Sequence, residues 1–327
     1  MTSAKKSDPD TKDGGALQQS SLFGSKASVP WRGSQIVYRN SFSAVSLSGA
    51  AELTYNPYYA MTWSFRPWWW FTKSFYTRAT LDVDREITQS DVTTYQGEAL
   101  LRDLRLVAGL SNVLRIPKAK IDFSFDLVLT VPTSKASLAR TMVLGVGPGT
   151  RMSRTFRVLK GLILGYTVRV TPTFHRYSTS ERESSLIPGC SASAGSCDEF
   201  WNTGRRNAVV RLTHYADISL RFLKWLGVSV AVGQAIDWLY PLGDAAEEVT
   251  LQVEEPENKR YLTFFELTVA LQPLKMLEVA LGYSSVHPQR APGGGYYVPF
   301  FNRYSAITLD LKLKIDGLVA RIKRSVK

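Results

Sequence analysis

Apolar and polar residues alternate along many segments of this chain. The segment GLILGYTVRVTPTFHRY, residues 161–177, is the clearest example. A period of two predicts an extended strand with one apolar and one polar face, because successive side chains of a strand point to opposite sides. The apolar positions of this segment are Leu162, Leu164, Tyr166, Val168, Val170 and Phe174.

The same alternation recurs along the chain and predicts about twelve strands. It is strong in KIDFSFDLVLTV, VVRLTHYADISLRF and AITLDLKLKID, and weaker in the other segments. The predicted strands lie near 42–55, 58–66, 71–83, 100–113, 120–131, 141–158, 161–177, 209–222, 227–240, 261–272, 276–287 and 306–316.

Short and long connections alternate between these strands. The long polar loops lie near 84–97, 178–208, 242–259 and 288–303. Strict alternation places all long loops at one end of an up-and-down sheet, as in transmembrane β-barrels. We therefore predict an all-β fold: a transmembrane up-and-down antiparallel β-barrel forming one domain over residues 35–327, with both termini on the short-turn, periplasmic side. Residues 1–34, rich in Ser, Gly, Lys and Asp, are predicted to be a flexible tail.

Alternation alone leaves a soluble barrel open, because such a barrel packs its apolar face inward and exposes its polar face. Strand number and length favour the membrane, since many segments reach the roughly 9–11 residues that a tilted strand needs to cross hydrocarbon. Aromatic residues also collect at the predicted strand ends, as in the interfacial girdles of membrane barrels. The predicted girdle consists of Trp68, Trp69, Trp70, Trp225, Trp238 and Tyr240.

The three consecutive tryptophans of this girdle cannot all face the same side of a strand. Some of their rings are expected among lipid headgroups, and others at the mouth of the lumen.

Composition excludes two other classes of protein. The net charge of +12 and the pI near 9.6 would suit a nucleic-acid partner. However, Lys and Arg are scattered singly, and no basic run with interleaved aromatic residues forms a nucleic-acid footprint, so we expect no such partner. No apolar run reaches the roughly 18 residues of a membrane-spanning helix. The opening stretch MTSAKKSDPDTKDGG also lacks the apolar segment of an export signal.

By this pattern the chain resembles bacterial outer-membrane β-barrels of the porin-like kind over residues 41–317. The resemblance rests on architecture rather than on an identifying motif. It implies a place in the bacterial outer membrane, with outer-membrane lipids as partners. Two features depart from the resemblance: the export signal is absent from this sequence, and AITLDLKLKIDGLVARIKRSVK does not end in the terminal aromatic residue that many such barrels carry.

The polar faces of the strands form the candidate functional surface, because they would line the lumen. Several arginines fall on three neighbouring predicted strands, and such a ladder could guide carboxylate or phosphate solutes. Alternatively, the same guanidiniums pair with carboxylates and only satisfy the interior. The sequence leaves both readings open. The residues predicted to line the lumen are Arg151, Arg157, Arg169, Arg211, Arg221, Asp122, Asp126 and Asp217.

Cys190 and Cys197 are the only cysteines and lie in the longest predicted loop, in PGCSASAGSC. Two cysteines in an otherwise cysteine-free chain suit a disulfide in an oxidising compartment. A metal site would need further Cys or His nearby, so we predict a disulfide and no metal.

The leading functional hypothesis is a passive outer-membrane channel for small polar solutes, with anions as the candidate class, and neither enzymatic activity nor a cofactor. A lipid-modifying enzyme is one alternative and would need a serine activated by His175 or His214. An adhesion barrel that acts through its long loops, such as 178–208, is the other.

Overall fold

The structure, a computed structural model, describes residues 29–47, 58–88, 97–183, 200–241, 258–290 and 295–325 of the 327-residue chain. Sixteen strands and two helices lie in these residues. The strands are β1 Gln35–Ser43, β2 Tyr59–Arg66, β3 Trp68–Trp70, β4 Phe75–Glu86, β5 Ala99–Leu101, β6 Leu104–Ile116, β7 Ile121–Val131, β8 Met142–Phe156, β9 Leu162–His175, β10 Thr179–Glu183, β11 Phe200–Arg206, β12 Ala208–Arg221, β13 Leu226–Leu239, β14 Lys259–Leu274, β15 Leu277–Pro288 and β16 Ser305–Lys314. The helices are α1 Lys135–Ala139 and α2 Ile315–Ser325.

The wall of the barrel consists of twelve antiparallel segments, which we call staves; each is one strand, except where two short strands follow each other. The twelve staves close into one barrel, which confirms the predicted fold class. Each stave pairs with its neighbours in the chain, and β1 pairs with β16 to close the ring. β2 and β3 together form one stave, since both pair with β4. β5 adds a short pairing to β4, while β10 and β11 form a separate hairpin outside the ring.

The connections between neighbouring strands of the ring alternate between short and long. Short turns lie at one end, at 71–74, 117–120, 157–161, 222–225 and 275–276. The start of β1 and the end of β16 also lie at this end, where Ile315 N donates to Ser34 O over 3.0 Å. The strand ends from which the remaining connections leave therefore lie at the opposite end, as does the β10–β11 pair.

The two faces of the wall settle which side of the barrel is polar. Outward side chains are large, apolar and exposed: Phe65 is 51% exposed and Leu281 56%. Inward side chains on the same sheet are polar and buried, such as Ser64 at 3% and Asp82 at 6%. A soluble barrel has the reverse arrangement, because exposed apolar area costs free energy in water, about 25 cal/mol per Å². An apolar exterior around a polar interior is the arrangement of a transmembrane barrel.

Two parts of the first staves differ from the prediction. The first strand is Gln35–Ser43 rather than 42–55, and residues 44–47 form a 3₁₀ turn. The first short turn is at 71–74, after the three tryptophans, rather than at 67–70, between the predicted strands 58–66 and 71–83. Pro67 interrupts the strand because it has no N–H to donate, yet Ala79 N still donates to Pro67 O and the stave continues as β3.

Both helices are also departures from the predicted strands and loops. α1 occupies the connection between β7 and β8, where Ser134 caps it by accepting from Ser137 N over 3.1 Å. α2 replaces the predicted end of the last strand and the basic tail. Its apolar residues Ile315, Leu318, Val319 and Ile322 follow a helical spacing of three and four. Within the described residues, neither helix has the length and apolarity that a membrane-spanning helix needs.

Candidate functional site

Charged side chains of the inward face line the lumen of the barrel. The predicted ladder residues Arg151, Arg169 and Arg211 lie on β8, β9 and β12, which are consecutive staves of the wall. Each of the three points inward, and each meets a carboxylate of the same face. The structure therefore brings the three predicted arginines together on one part of the wall, already paired.

The Arg151–Asp217 pair spans β9, the strand between its two partners. Arg151 Nη1 and Nη2 donate to Asp217 Oδ1 and Oδ2, each over 2.7 Å. Gly165 of β9 lies in register with Asp217, directly beneath the pair. A Cβ at Gly165 would clash with Arg151 Nη2 and Asp217 Oδ1. The missing side chain thus lets the ion pair lie flat against the wall.

The Arg169–Asp126 pair repeats this arrangement one strand along. Arg169 Nη2 donates to both Asp126 oxygens, over 2.8 and 2.6 Å. Gly149 of β8 is in register with Asp126 on one side and with Arg169 on the other. A Cβ at Gly149 would come within 2.6 Å of Asp126 Oδ1 and 3.0 Å of Arg169 Nε. Two neighbouring ion pairs are therefore each laid across a glycine.

Arg211 pairs with Asp237, a residue that the sequence analysis did not single out. The two are in register on β12 and β13, and Arg211 Nε and Nη2 donate to Asp237 Oδ1 and Oδ2 over 2.6 and 2.8 Å. More positive charge lies nearby, on Arg140 in the loop that follows α1. Burial lowers the pKa of Arg140, and the positive charges of Arg211 and Arg260 lower it further. The inward parity of Asp237 on β13 was the signal that could have identified it.

The other residues predicted to line the lumen lie near the short-turn end. Asp122 is 3.5 Å from Arg115 rather than from a ladder arginine. Arg221 is the last residue of β12. Arg157 is not on the wall: β8 ends at Phe156, and Arg157 is exposed in the turn that follows.

Further ion pairs lie on parts of the wall that the ladder does not reach. Arg39 makes two hydrogen bonds to Asp310, over 2.7 and 2.8 Å, across the β1–β16 seam. The Glu278 carboxylate accepts from Lys312 over 3.0 Å and lies 2.8 Å from Lys314 Nζ. The sequence analysis missed Arg39 because it placed the first strand seven residues too late.

The tryptophans at 68–70 divide between the two faces of the wall. Trp68 and Trp70 point inward and both contact Tyr76: Trp68 stacks on its ring at a centroid distance of 4.8 Å, and Trp70 is tilted against it at 4.9 Å. Trp69 points outward and is 48% exposed. Trp225 lies in the short turn after β12, while Trp238 and Tyr240 lie at the long-loop end of β13. The six predicted girdle residues therefore occupy both ends of the barrel.

Neither predicted histidine is hydrogen-bonded to a serine in the part of the chain that the structure describes. His175 Nδ1 lies 2.8 Å from Arg140 O, and His214, on the outer face, lies 3.4 Å from Tyr166 Oη. Cys190 and Cys197 lie outside the described residues. Within those residues no three His, Cys, Asp or Glu side chains are grouped as a metal site.

No family model matches the sequence, and no curated protein matches it. Solved structures do match in fold. The COG4313 outer membrane channel from Pseudomonas putida F1 has a TM-score of 0.53 at 10% identity, over 89% of this chain and 97% of that chain. The KdgM porin has a TM-score of 0.40 at 11% identity, over 86% and 99%. The NanC porin has a TM-score of 0.42 at 7% identity, over 85% and 98%. The chain therefore has the fold of the outer-membrane β-barrel channels.

Proposed function

We propose that this protein is a passive channel of the bacterial outer membrane for small polar solutes, with a preference for anions. The observation that carries the proposal is the charged inward wall, on which Arg151–Asp217 and Arg169–Asp126 are laid across glycines. Ion pairs held against the wall leave the axis of the barrel free of these long side chains. A polar interior of this kind suits hydrated solutes rather than apolar ones.

The outer face supports this proposed location. Its exposed leucines, valines and aromatic residues form an apolar band that suits contact with outer-membrane lipids. Trp69 and Trp225 add exposed aromatic rings near the short-turn end, where membrane barrels carry interfacial residues. The COG4313 protein of the same fold is described as an outer membrane channel, which supports the same class of function here.

The preference for anions rests on local excesses of positive charge in the interior. Two ammonium groups, from Lys312 and Lys314, both contact the carboxylate of Glu278. The whole chain carries a net charge of +12. Positive charge that lines a narrow aqueous path attracts anions and repels cations.

Single-channel recording tests this function. Protein refolded in detergent and inserted in a planar bilayer should give discrete current steps. Under a gradient of KCl, the reversal potential should indicate a higher permeability for chloride than for potassium. Heat-modifiable migration on a gel is the control for a folded barrel. A folded barrel that inserts into the bilayer and passes no current would contradict the channel, and a reversal potential favouring potassium would contradict the anion preference.

A further inference from the structure

A second group of arginines lies across the barrel from the ladder, on the inward faces of β1, β2, β4 and β6 and in the link between β5 and β6. Most of its members have a nearby carboxylate. Arg39 pairs with Asp310, Arg102 pairs with Asp84, and Arg105 Nη2 lies 3.9 Å from Asp82. The remaining two members, Arg66 on β2 and Arg78 on β4, differ from the rest.

Arg66 and Arg78 have no carboxylate within 4 Å among the residues that the structure describes. Arg66 Nε donates to the Ser64 hydroxyl over 2.7 Å. The Arg78 guanidinium lies over the Trp68 ring, 4.8 Å from its centroid, and Arg78 Nε is buried without a hydrogen-bond partner. Both guanidiniums therefore keep N–H donors that no described carboxylate satisfies.

Strand register places these two arginines close together on the wall. Phe65 is opposite Leu81, and Trp68 is opposite Arg78. Arg66 is therefore opposite Thr80, which lies two residues from Arg78 on the same face of β4. The nearest inward carboxylate of β4, Asp82, accepts a hydrogen bond from Ser64. Asp82 is thus shared with a hydroxyl and with Arg105, rather than taken by Arg66 or Arg78.

A cavity opens on this part of the wall, on the side of Arg66. Four guanidiniums line it against one carboxylate, and hydroxyl groups complete its polar surface. Its lining includes Arg39, Arg66, Arg102, Arg105, Asp82 and Ser64. Since Arg39 and Arg102 are paired with Asp310 and Asp84, the recess is polar, and Arg66 adds to it a guanidinium with no carboxylate of the described residues within 4 Å.

The difference in pairing decides which arginines a passing solute meets as cations. A guanidinium in a two-point bond with a carboxylate has used its best donors, and the field of the pair falls off as that of a dipole. An arginine without a carboxylate presents a full charge and a fork of donors that matches carboxylate or phosphate oxygens. Arg151 and Arg211 each hold their carboxylate through two N–H groups, and Arg169 holds both Asp126 oxygens through Nη2. Arg66 and Arg78 differ from all three, because no carboxylate of the described residues lies within 4 Å of either.

We propose that Arg66 and Arg78 form the anion-recognition point of the lumen, where a carboxylate or phosphate group of the solute binds, and that the paired ladder arginines contribute little to selectivity. The proposal rests on the proposed channel function, because it names the residues that give that channel its preference. It also makes a claim about binding that does not depend on current.

Permeability ratios test the assignment of selectivity. In the double variant Arg66→Gln/Arg78→Gln, the ratio of chloride to potassium permeability should fall by about threefold or more, because two full charges leave the lumen wall. The matched control is Arg151→Gln/Asp217→Asn, which removes one ladder pair without changing the net charge and should keep the wild-type ratio. Arg66→Lys/Arg78→Lys should restore most of the preference. A double glutamine variant with the wild-type ratio, or an equal loss in the control, would overturn the proposal.

Binding without current separates this proposal from the channel itself. Inorganic phosphate and acetate are titrated into the detergent-folded barrel while tryptophan fluorescence is followed, since Trp68 lies beneath Arg78. A saturable change that the double glutamine variant lacks would support the site even if the barrel passed no current, and the channel function alone would then fail. No saturable change in the wild type, or the same change in the variant, would sink the recognition point. Heat-modifiable migration of each variant confirms a folded barrel.

Discussion

Glycines on the lumen wall decide how far the ion pairs project toward the axis. Gly165 and Gly149 lie beneath Arg151–Asp217 and Arg169–Asp126, and each leaves the space that a side chain would fill. The long guanidinium side chains can therefore cross a whole strand without standing upright in the lumen. These two glycines therefore affect both the open width of the lumen and the position of the charges on its wall.

We expect Gly165→Val to push the Arg151–Asp217 pair toward the axis, because a Cβ there clashes with both partners. Single-channel conductance should fall, and overpacking should lower the free energy of unfolding by about 1–3 kcal/mol. Planar-bilayer recording and urea unfolding measure the two effects. Gly295→Ala is the control, since a Cβ at Gly295 has open space around it. Unchanged conductance in Gly165→Val would argue against a wall-lying pair.

Removing one partner of a ladder pair should create a new cation in the lumen. In Asp217→Asn, Arg151 loses its carboxylate, so the permeability ratio should shift further toward chloride. Arg151→Gln leaves Asp217 alone and should shift the ratio toward potassium. Reversal potentials under a KCl gradient check both directions. Equal ratios in the two variants would show that this pair lies outside the solute path.

At the residue scale, sequence parity could identify which charges face inward but not how they pair. Asp126 and Asp217 were candidates from their polar-face positions, yet their partners depend on the register across two strands. The role of Gly165 depends on the same register. That no carboxylate of the described residues lies within 4 Å of Arg66 could not be predicted, because it requires the positions of every neighbouring carboxylate.

Each strand of the wall contacts two environments, an apolar one on its outer face and a polar one on its inner face. Val170 of β9 points outward and is 40% exposed, while its neighbour Thr171 points inward. Val170→Arg should lower the free energy of unfolding from a lipid bilayer by about 2–4 kcal/mol, because the charge enters hydrocarbon near mid-strand. Thr171→Arg, one residue away on the polar face, should cost far less. Urea unfolding from vesicles compares them, and equal losses would contradict a lipid-facing exterior.

The helix that follows the last strand packs closely on a short turn. A Cβ at Gly317 of α2 would come within 2.7 Å of Lys275 O and 2.8 Å of Met276 Cα, both backbone atoms that cannot rotate away. Gly317→Val should therefore displace α2 and lower the free energy of unfolding by about 1–3 kcal/mol. Ala320→Val, at an exposed position of the same helix, is the control. Urea unfolding measures the difference, and equal midpoints would show that α2 does not pack there.

Strands with unbroken alternation could be predicted from the sequence, and those with an interruption could not. The segment 161–177 contains β9, because its period of two continues without a break from Leu164 to Thr171. β3 was hidden because Pro67 and three tryptophans break the pattern. α2 was hidden because Leu311, Leu313 and Ile315 continue the alternation of β16 into the first residue of the helix. The local pattern placed the first strand at 42–55, whereas pairing with β16 fixes it at Gln35–Ser43.

At the scale of the whole molecule, any preference for anions should depend on ionic strength. Unpaired lumen charges act through water, and the screening length shortens from about 10 Å at 0.1 M salt to about 3 Å at 1 M. The ratio of chloride to potassium permeability should therefore be largest in dilute KCl and approach one in concentrated KCl. Reversal potentials measured at a fixed gradient ratio across this range check the trend. A ratio independent of salt would point to selection by size rather than charge.

The seam between β1 and β16 also dictates when this molecule can become a barrel. Gln35 pairs with Lys314, so the ring is sealed by strands from opposite ends of the chain. Any chain that stops short of β16 exposes open edges at β1 and β15, which are templates for aggregation. Sealing also brings together residues far apart in sequence, a step with a large entropic cost that makes folding slow. During synthesis and delivery the protein must therefore be kept from pairing with other chains until its last strand is in place.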